Sequence, residues 1–525
     1  MIFTSPHPNV TDPKQSVYQY VLGDITGFSE KTAIINSTND ERISYAELKT
    51  LVEKLAFGLQ EKGLKKGDVI AIYSPNVPEY VMLFLAVAKL GAICTTANPL
   101  YTANELSKQL QDSNAKFLVT VPSFLEKAKE AANSSNVEEI FVIGSNDLET
   151  PFDNLLTREG KVLDPSVDYE NDVCVLPYSS GTTGLPKGVM LTHKNLVINM
   201  CQTRGMSSFN SIDQDDTVLG VLPFFHIYGM VVIMLYTLSR GATLLVMPKF
   251  DMENFLSSVA KYKVTKAPLV PPIILGLAKH PLVDSFDLSS LKLIMSGAAP
   301  LAESTAKEAA DRVGCQIAQG YGMTEASPVT HLMPTNLGGH KVGSLGLPIP
   351  NTEVIIVDPE TGNRLGKNQN GEIWIRGPQI MKGYLNRPDA TRESIDQEGW
   401  YRTGDIGYAD EEGFFYAVDR MKELIKYKGM QVAPAELEAL LLTHPSVVDA
   451  AVIPVQDEEA GELPKGFIVV RDGQVESAES IMQFVAERVA PHKKIRIVEF
   501  VNQIPKSASG KILRRLLIEQ ERSKA

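Results

Sequence analysis

Residues 179–188, a run of serine, threonine and glycine that ends in Pro-Lys-Gly, have the composition of a phosphate-binding loop. Glycines let the backbone approach phosphate oxygens, hydroxyl and N–H groups can donate to them, and Lys187 adds a positive charge. The spacing differs from that of a Walker loop, and an exposed Ser/Thr/Gly loop is the alternative interpretation. The candidate phosphate ligands are Ser179, Ser180, Gly181, Thr182, Thr183, Gly184 and Lys187.

Four later segments also carry groups that nucleotide chemistry uses. Residues 319–325 contain two glycines and a carboxylate, residues 401–405 end in a carboxylate, and residues 419–434 and 505–512 are rich in lysine. Taken singly, Glu325 could be a solvated helix-start carboxylate, Asp405 a turn residue and Lys511 a surface lysine. No single segment is therefore enough to indicate a nucleotide site.

Together and in this order, the segments resemble the motifs of the adenylate-forming superfamily of acyl-CoA synthetases, firefly luciferases and carrier-protein adenylation domains. Within it, the chain is most similar to the 4-coumarate–CoA ligases, and the resemblance covers residues 45–515. It implies an acid–CoA ligase: ATP activates a carboxylic acid as an acyl-adenylate, CoA takes the acyl group, and AMP and diphosphate are released. ATP and CoA are the implied co-substrates and Mg²⁺ the implied cofactor.

The resemblance also assigns residues to the nucleotide. Tyr321 is expected against adenine, Thr324 at the α-phosphate and Asp405 at both ribose hydroxyls, a role that carboxylates take in nucleotide sites. Glu325 and Thr183 are expected to hold Mg²⁺, which prefers hard oxygen ligands. Besides the loop, the implied ATP- and AMP-binding residues are Gln319, Gly320, Tyr321, Gly322, Thr324, Asp405 and Arg420.

The lysine-rich segments are implied to act in different steps. Lys511 follows a Ser-Gly turn and matches the catalytic lysine of the superfamily. It is expected to neutralise charge at the α-phosphate, because preorganised cations are the main catalytic device in phosphoryl chemistry. Lys426 and Gln431 would act in thioester formation, Lys428 and Gly429 would lie on the CoA side, and Lys422 would be the hinge.

The acid pocket is implied by the segments around His226 and Met295. His226 is expected to line the passage between acid and nucleotide, and Tyr228 to reach the ring hydroxyl of a 4-coumarate-like hydroxycinnamic acid, which suits an apolar slot with a phenol at its end. The implied acid-binding residues are Ile227, Tyr228, Val232, Met295, Ala298, Gly320, Gly322, Pro328 and Val329.

The pocket also departs from the plant enzymes. Thr330 replaces an apolar residue, and Val231 and Val232 replace a more polar pair. Medium- or long-chain fatty acids and other aryl acids therefore remain alternative substrates.

The elements that must position these residues follow an α/β pattern. Residues 43–241 alternate helical patterns with short apolar runs, which predicts parallel sheets covered by helices. Residues 342–413 predict a β-rich subdomain. We predict an N-terminal ATP- and acid-binding domain over residues 1–420 and a small, mobile α+β catalytic lobe over residues 421–525, with the hinge near Lys422.

Length and composition limit the kinds of protein that this chain can be. With 525 residues, 44% of them hydrophobic, the chain is long enough for more than one domain. A net charge of −12 disfavours a nucleic-acid partner. The four cysteines form no CxxC pair and the N-terminus lacks a secretory pattern, so we expect a cytoplasmic protein. A monomer and a dimer are both compatible with the sequence.

One uncharged run, residues 218–238, is long enough to span a bilayer. It is interrupted by Gly220, Pro223, His226 and Gly229, so we predict a buried strand, turn and helix and no transmembrane segment.

Three other classes remain. A luciferase-like oxygenase shares the motifs, but the PFFHIYG segment around His226 resembles the ligases. A carrier-protein adenylation domain predicts an adjoining carrier with an attachment serine, and none follows within these residues. A non-enzymatic binding module does not explain why the nucleotide, magnesium and lysine motifs occur together.

Overall fold

The computed structural model describes residues 1–144, 150–158, 160–163, 165–179, 186–206, 212–299, 301–334, 341, 343–421, 423–428, 430–457, 460–471, 473–507 and 510–524, with the backbone alone at Gln431. The strands in chain order are β1 (Phe3–Thr4), β2 (Thr32–Asn36), β3 (Arg42–Ser44), β4 (Val69–Tyr73), β5 (Ile93–Thr96), β6 (Ala115–Thr120), β7 (Glu139–Val142), β8 (Val173–Ser179), β9 (Lys187–Thr192), β10 (Thr217–Gly220), β11 (Thr243–Val246), β12 (Lys266–Leu269), β13 (Leu293–Ser296), β14 (Gln316–Gly322), β15 (Val329–Leu332), β16 (Leu347–Pro348), β17 (Glu353–Val357), β18 (Gly371–Arg376), β19 (Gly383–Tyr384), β20 (Tyr401–Ala409), β21 (Phe415–Arg420), β22 (Ile425–Tyr427), β23 (Met430–Val432), β24 (Val447–Asp457), β25 (Gly461–Val470) and β26 (Ile497–Phe500). The α-helices are α1 (Tyr45–Glu61), α2 (Pro78–Lys89), α3 (Ala103–Ser113), α4 (Leu125–Ala132), α5 (His193–Gly205), α6 (Tyr236–Ser239), α7 (Met252–Tyr262), α8 (Pro271–Lys279), α9 (Glu303–Val313), α10 (Pro388–Ser394), α11 (Pro434–Leu441), α12 (Ala478–Ala486) and α13 (Arg514–Arg522).

Two large sheets with parallel centres form the main body. One has the strand order β16-β15-β14-β13-β12-β10-β11-β2-β3 and the other β19-β9-β8-β5-β4-β6-β7. Their central pairs, such as β12–β13 and β4–β5, are parallel, while β8–β9 and β14–β15 are antiparallel. The prediction of parallel sheets covered by helices is therefore confirmed.

Local sequence signals explain where several helices begin. Ser44 and Glu47 form a reciprocal capping box at the start of α1, and Thr102 and Glu105 do the same for α3. Helix α2 begins at Pro78, where a missing N–H costs nothing. Most side chains of α2 are fully buried, because the helix belongs to the apolar core that contains side chains of both large sheets.

A third sheet, built mostly from residues 353–420, forms a β-rich unit. Its antiparallel sheet has the order β1-β17-β18-β20-β21, and its apolar face buries Ile356, Ile373 and Phe415. This unit ends with β21 at Arg420. The predicted β-rich subdomain is thus present.

The small lobe has a separate sheet and core. The strand order is β23-β22-β25-β24, with β26 parallel to β25. Helices α11 and α12 cover it through Leu437, Leu441, Ile481 and Val485. A large N-terminal domain with a smaller C-terminal α+β domain is the predicted fold class, and it is confirmed.

The uncharged run at residues 218–238 is buried inside the main body. It forms β10, the π-helical turn Tyr228–Leu235 and α6, and Met230, Ile233 and Leu235 have no exposed surface. Across the described ranges, no helix is both long enough and apolar enough to cross a membrane.

Candidate active site

The two ends of the phosphate-loop segment are held by strand pairing. Ser179 ends β8, Lys187 begins β9, and the two residues face each other in antiparallel register. Ser179 Oγ donates a 3.0 Å hydrogen bond to Oε1 of Glu325, which is 8% exposed in the 3₁₀ turn Thr324–Ala326. The structure thus brings Ser179, the first residue of the segment, to the predicted metal ligand. The residues Ser180, Gly181, Thr182, Thr183 and Gly184 lie outside the described part of the chain.

Tyr384 is a site residue that the sequence analysis missed. Strand β19 pairs with β9, and the Tyr384 hydroxyl donates a 2.9 Å hydrogen bond to the same Oε1 of Glu325. Lys187 Nζ lies 4.7 Å from the centroid of the Tyr384 ring. Desolvation, followed by the charge of Glu325, raises the pKa of Tyr384, so this phenol stays a donor. A Gly-Tyr pair in a turn-rich segment gives no sequence signal that the tyrosine will contact Glu325.

Glu325 fits a magnesium site by its donor chemistry. Mg²⁺ is usually held by one or two carboxylates together with substrate phosphates and water. No group of three or more His, Cys, Asp or Glu side chains placed to hold a metal occurs among the residues that the structure describes. By the ligand pattern usual for Mg²⁺, Glu325 fits an ion whose other ligands are nucleotide phosphates and water.

The predicted adenosine-binding residues converge on Asp405. The Tyr321 hydroxyl donates a 2.6 Å hydrogen bond to Asp405 Oδ2, and Arg420 Nε lies 3.2 Å from Oδ1. Asp405 and Arg420 face each other on β20 and β21. An ionised carboxylate has about four lone-pair sites, so ribose hydroxyls can still donate to this one. The geometry is that of a fixed anionic acceptor beside a tyrosine ring.

Strand β14 carries the remaining predicted nucleotide contacts. Gln319 Oε1 accepts a 3.2 Å hydrogen bond from the backbone N–H of Leu301. Gly320 and Gly322 lie on the same strand, and Thr324 begins the turn that holds Glu325. The strand and its turn therefore connect the adenosine side of the site to the metal side.

Lys511 reaches this site from the small lobe. Its backbone N–H donates to Ser507 Oγ at 3.1 Å, and Gly510 has a φ of +76°. A Cβ added at Gly510 would lie 3.1 Å from Pro272 Cδ, so the turn packs against the start of α8 in the large domain. Desolvation and then the nearby Arg420 lower the pKa of Lys511 to about 8, against the opposite effect of two carboxylates, Glu423 and Asp405. Lys511 is thus close to the charges of the adenosine side.

His226 lies near Lys511, where the predicted passage between acid and nucleotide would be. Desolvation and the charge of Lys511 lower the pKa of His226 to about 4. Its Nδ1 accepts a 3.4 Å hydrogen bond from the backbone N–H of Tyr228. His226 is therefore neutral at physiological pH and is not a source of positive charge.

Four predicted acid-binding residues share one apolar cluster: Tyr228, Val232, Met295 and Val329. The Tyr228 hydroxyl donates a 3.0 Å hydrogen bond to the backbone carbonyl of Met295. A Cβ added at Gly297 would lie 2.9 Å from Tyr228 Cε1, so a glycine is required beside this ring.

The other predicted pocket positions lie around this cluster. Ile227 packs in the main core instead. Ala298 has a positive φ of +70° just after β13, and the carbonyl of Pro328 accepts from the N–H of Met323 at 2.9 Å. Thr330, which the sequence analysis names as a departure from the plant enzymes, is fully buried, and its hydroxyl donates to the carbonyl of Tyr321 at 3.2 Å.

The predicted CoA-side residues lie on the hairpin of β22 and β23. Lys426 pairs with Gln431 in register, its backbone N–H donates to Glu462 Oε2 at 2.7 Å, and its side chain is exposed. Lys428 is exposed with a φ of +47°. Lys422, Gly429 and the side chain of Gln431 lie outside the described residues. The arrangement therefore presents Lys511, rather than Lys426, to the large domain.

Family models match both domains of the chain. The model of the AMP-binding enzyme family matches residues 24–385, and that of the AMP-binding enzyme C-terminal domain matches residues 436–511. The chain belongs to the AMP-binding enzyme family of adenylate-forming proteins, as its motifs predicted.

Individual proteins resemble this chain over nearly its whole length. The chain is 45% identical to 4-coumarate–CoA ligase 1 of Petroselinum crispum and 46% identical to 4-coumarate–CoA ligase 2 of Nicotiana tabacum, each across 98% of this chain and 96% of the relative. Its fold is similar to that of the anthranilate CoA ligase AuaEII in complex with anthranoyl-AMP, with a TM-score of 0.90, 25% identity and 97% of both chains covered.

Proposed function

We propose that this protein is an ATP-dependent, AMP-forming acid–CoA ligase whose preferred acids are 4-hydroxycinnamates. The observation that carries the proposal is the 3.0 Å bond between Ser179 and Glu325, because it joins two motifs that are far apart in the sequence. The full-length similarity to 4-coumarate–CoA ligases supports the same activity.

In the first step, a carboxylate oxygen of the acid attacks the α-phosphorus of ATP and diphosphate leaves with the electron pair of the broken P–O bond. Negative charge builds on the oxygens around phosphorus. Lys511 places an ammonium group near them, and the β8–β9 segment with Lys187 holds the phosphates. Mg²⁺ bound through Glu325 would supply further positive charge at the phosphates.

Asp405, Arg420 and Tyr321 hold the adenosine during this step. The Tyr321–Asp405 and Arg420–Asp405 contacts fix the carboxylate before the nucleotide arrives. A preorganised site loses less free energy on ordering, so these contacts favour the reactive geometry.

In the second step, the CoA sulfur attacks the acyl carbon, the bond to the AMP oxygen breaks, and the thiol proton is released. We assign this step to the Lys426 hairpin (β22–β23) after rotation of the small lobe about Lys422. The domain boundary follows Arg420, because β21 belongs to the sheet of the large domain while β22 belongs to the small lobe. Hinges of this kind concentrate the change in a few residues.

The choice of acid follows from the direction of one hydrogen bond. The Tyr228 hydroxyl donates its proton to the carbonyl of Met295, so its oxygen is left as an acceptor. A 4-hydroxyl on an aryl acid can donate to that oxygen, whereas a 4-methoxy group cannot. The apolar neighbours Val232, Met295 and Val329 suit the rest of a flat ring.

The test is CoA-dependent AMP release with 4-coumarate, cinnamate, 4-methoxycinnamate, benzoate and dodecanoate. We expect kcat/KM to be highest for 4-coumarate and about fivefold lower for cinnamate, since a neutral hydrogen bond contributes about 1 kcal/mol. A preference for dodecanoate would replace the hydroxycinnamate proposal with a fatty-acid one. No AMP release with any acid would contradict the ligase.

Tyr228→Phe sharpens the test. It should remove the discrimination between 4-coumarate and cinnamate, because the acceptor oxygen is lost, and leave kcat/KM for cinnamate within about twofold. Tyr236→Phe is the matched control: it is also a buried tyrosine, and its hydroxyl has no partner among the described residues. Unchanged discrimination in Tyr228→Phe would show that the 4-hydroxyl of the substrate does not bind to Tyr228.

A further inference from the structure

A buried carboxylate of the large domain caps a helix of the small lobe. Asp419 lies on β21 and is 8% exposed, and its Oδ2 accepts a 2.9 Å hydrogen bond from the N–H of Ala435 in the first turn of α11. Its Oδ1 accepts from the N–H of Arg420 at 2.7 Å. Helix α11 has no side-chain cap of its own, since the residue before it is Ala433. First-turn N–H groups need an acceptor, and Asp419 supplies it across the hinge.

The same helix holds a second buried carboxylate, Glu438. Its Oε1 accepts from the N–H of Val452 at 2.7 Å and its Oε2 from Arg514 Nη2 at 2.7 Å. Arg514 also pairs with Glu423 through Nη1, and its side chain is 12% exposed. A buried charge is tolerated when it is paired in this way, and removing one partner leaves the other uncompensated.

Arg514 follows Lys511 by three positions and begins α13. The contacts therefore form a continuous path from β21 through the cap on α11 to Arg514 and the Lys511 turn. Within this path, the Asp419 bond joins the two sides of the hinge, because Glu423, Glu438 and Arg514 all follow Lys422. The proposed mechanism so far uses none of Asp419, Glu438 and Arg514.

We propose that Asp419, Glu438 and Arg514 position Lys511 for acyl-adenylate formation and are not needed for acyl transfer to CoA. This inference rests on the proposed function, since it presumes the two half-reactions. None of the three touches substrate in the proposed site, so they are positioning residues. A displacement of about 1 Å at a reacting group can cost about a hundredfold in rate, so a network that fixes Lys511 acts on adenylation directly.

The experiment compares two glutamates of α11 in the full-length chain. Glu438→Gln replaces the carboxyl group that faces Arg514 with an amide. Glu436→Gln is the matched control, because Glu436 lies on the same helix and pairs with the partly exposed Lys493 at 2.7 Å. Two rates are measured for each: ATP–pyrophosphate exchange with 4-coumarate, and single-turnover transfer of coumaroyl from supplied coumaroyl-AMP to CoA.

We expect Glu438→Gln to lower kcat for exchange by about tenfold or more, with the KM for ATP and the transfer rate each within about twofold of wild type. Glu436→Gln should change none of these values. Parallel loss of exchange and transfer, or no loss of exchange, would overturn the proposal, because a merely structural role lowers both rates through the amount of folded enzyme.

Asp419→Asn keeps the test decisive if Glu438→Gln does not fold. It retains one oxygen acceptor for the cap, and it should show the same split between exchange and transfer to a smaller extent. Equal loss in both steps would overturn the proposal here too. Failure of the proposed function looks different, since the wild-type protein would then give neither exchange nor transfer.

Discussion

Two lysine-bearing segments of the small lobe differ in what they contact. The Lys511 turn packs on α8 through Gly510 and lies close to the charges of Arg420 and Asp405. The Lys426 hairpin exposes its lysine and bonds to Glu462 of its own lobe. Because both segments belong to one lobe, a rotation that brings the Lys426 hairpin to the large domain would carry the Lys511 turn away. The structure therefore presents Lys511, and not Lys426, to the nucleotide site that we propose.

The largest expected effect comes from removing the docked lysine. Lys511→Ala should lower ATP–pyrophosphate exchange by about a hundredfold or more, the scale of losing one donor to a developing oxyanion. Lys506→Ala is the control in the same segment, since Lys506 pairs with Asp449 at 2.7 Å and not with the site. Exchange at the wild-type rate in Lys511→Ala would show that this lysine does not act in the first step.

The pH dependence of exchange should report the docked lysine as well. The pKa of Lys511 is lowered to about 8, so the required cation is present below that pH and is lost as pH rises through it. We expect kcat/KM for exchange to fall by about tenfold between pH 7 and pH 9. His226, with a pKa of about 4, contributes nothing to this limb.

Lys511→Arg separates this titration from alkaline unfolding. Arginine keeps its charge over the whole range, so the residual activity of this variant should show no fall near pH 8. A fall at the same pH in Lys511→Arg would show that another group causes the alkaline loss of exchange activity.

A smaller effect is expected from disturbing the docking surface. Gly510→Ala adds a Cβ 3.1 Å from Pro272 Cδ at a φ of +76°, which strains the turn and pushes it from α8. We expect exchange to fall by about fivefold, the consequence of about 1 kcal/mol of strain. Gly473→Ala is the control, because Gly473 has a φ of +78° in the same lobe and open space around its Cβ position. Equal effects of the two substitutions would show that lobe docking is not what Gly510 serves.

The sequence predicted the parts of the structure that depend on local pattern. The capping box at Ser44, the parallel sheets and the separate small lobe all follow from periodicity and turn residues. The convergence of Ser179 and Glu325 was predicted through the resemblance of their motifs, and the 3.0 Å bond between them agrees with it.

Features that depend on tertiary packing were not predictable. Tyr384 approaches Glu325 because β19 pairs with β9, and Asp419 caps α11 because β21 ends beside that helix. The lowered pKa of Lys511 depends on desolvation and on Arg420, which lies far away in the sequence. Residue type and spacing contain no record of such contacts.

The most direct test measures both half-reactions on Lys511→Ala and Lys426→Ala. In the proposed mechanism, a lysine of the small lobe completes the nucleotide site of the large domain in the first step. We expect Lys511→Ala to lose pyrophosphate exchange but still to transfer coumaroyl from supplied coumaroyl-AMP to CoA, while Lys426→Ala keeps exchange within about twofold. Loss of exchange in Lys426→Ala together with normal exchange in Lys511→Ala would contradict it.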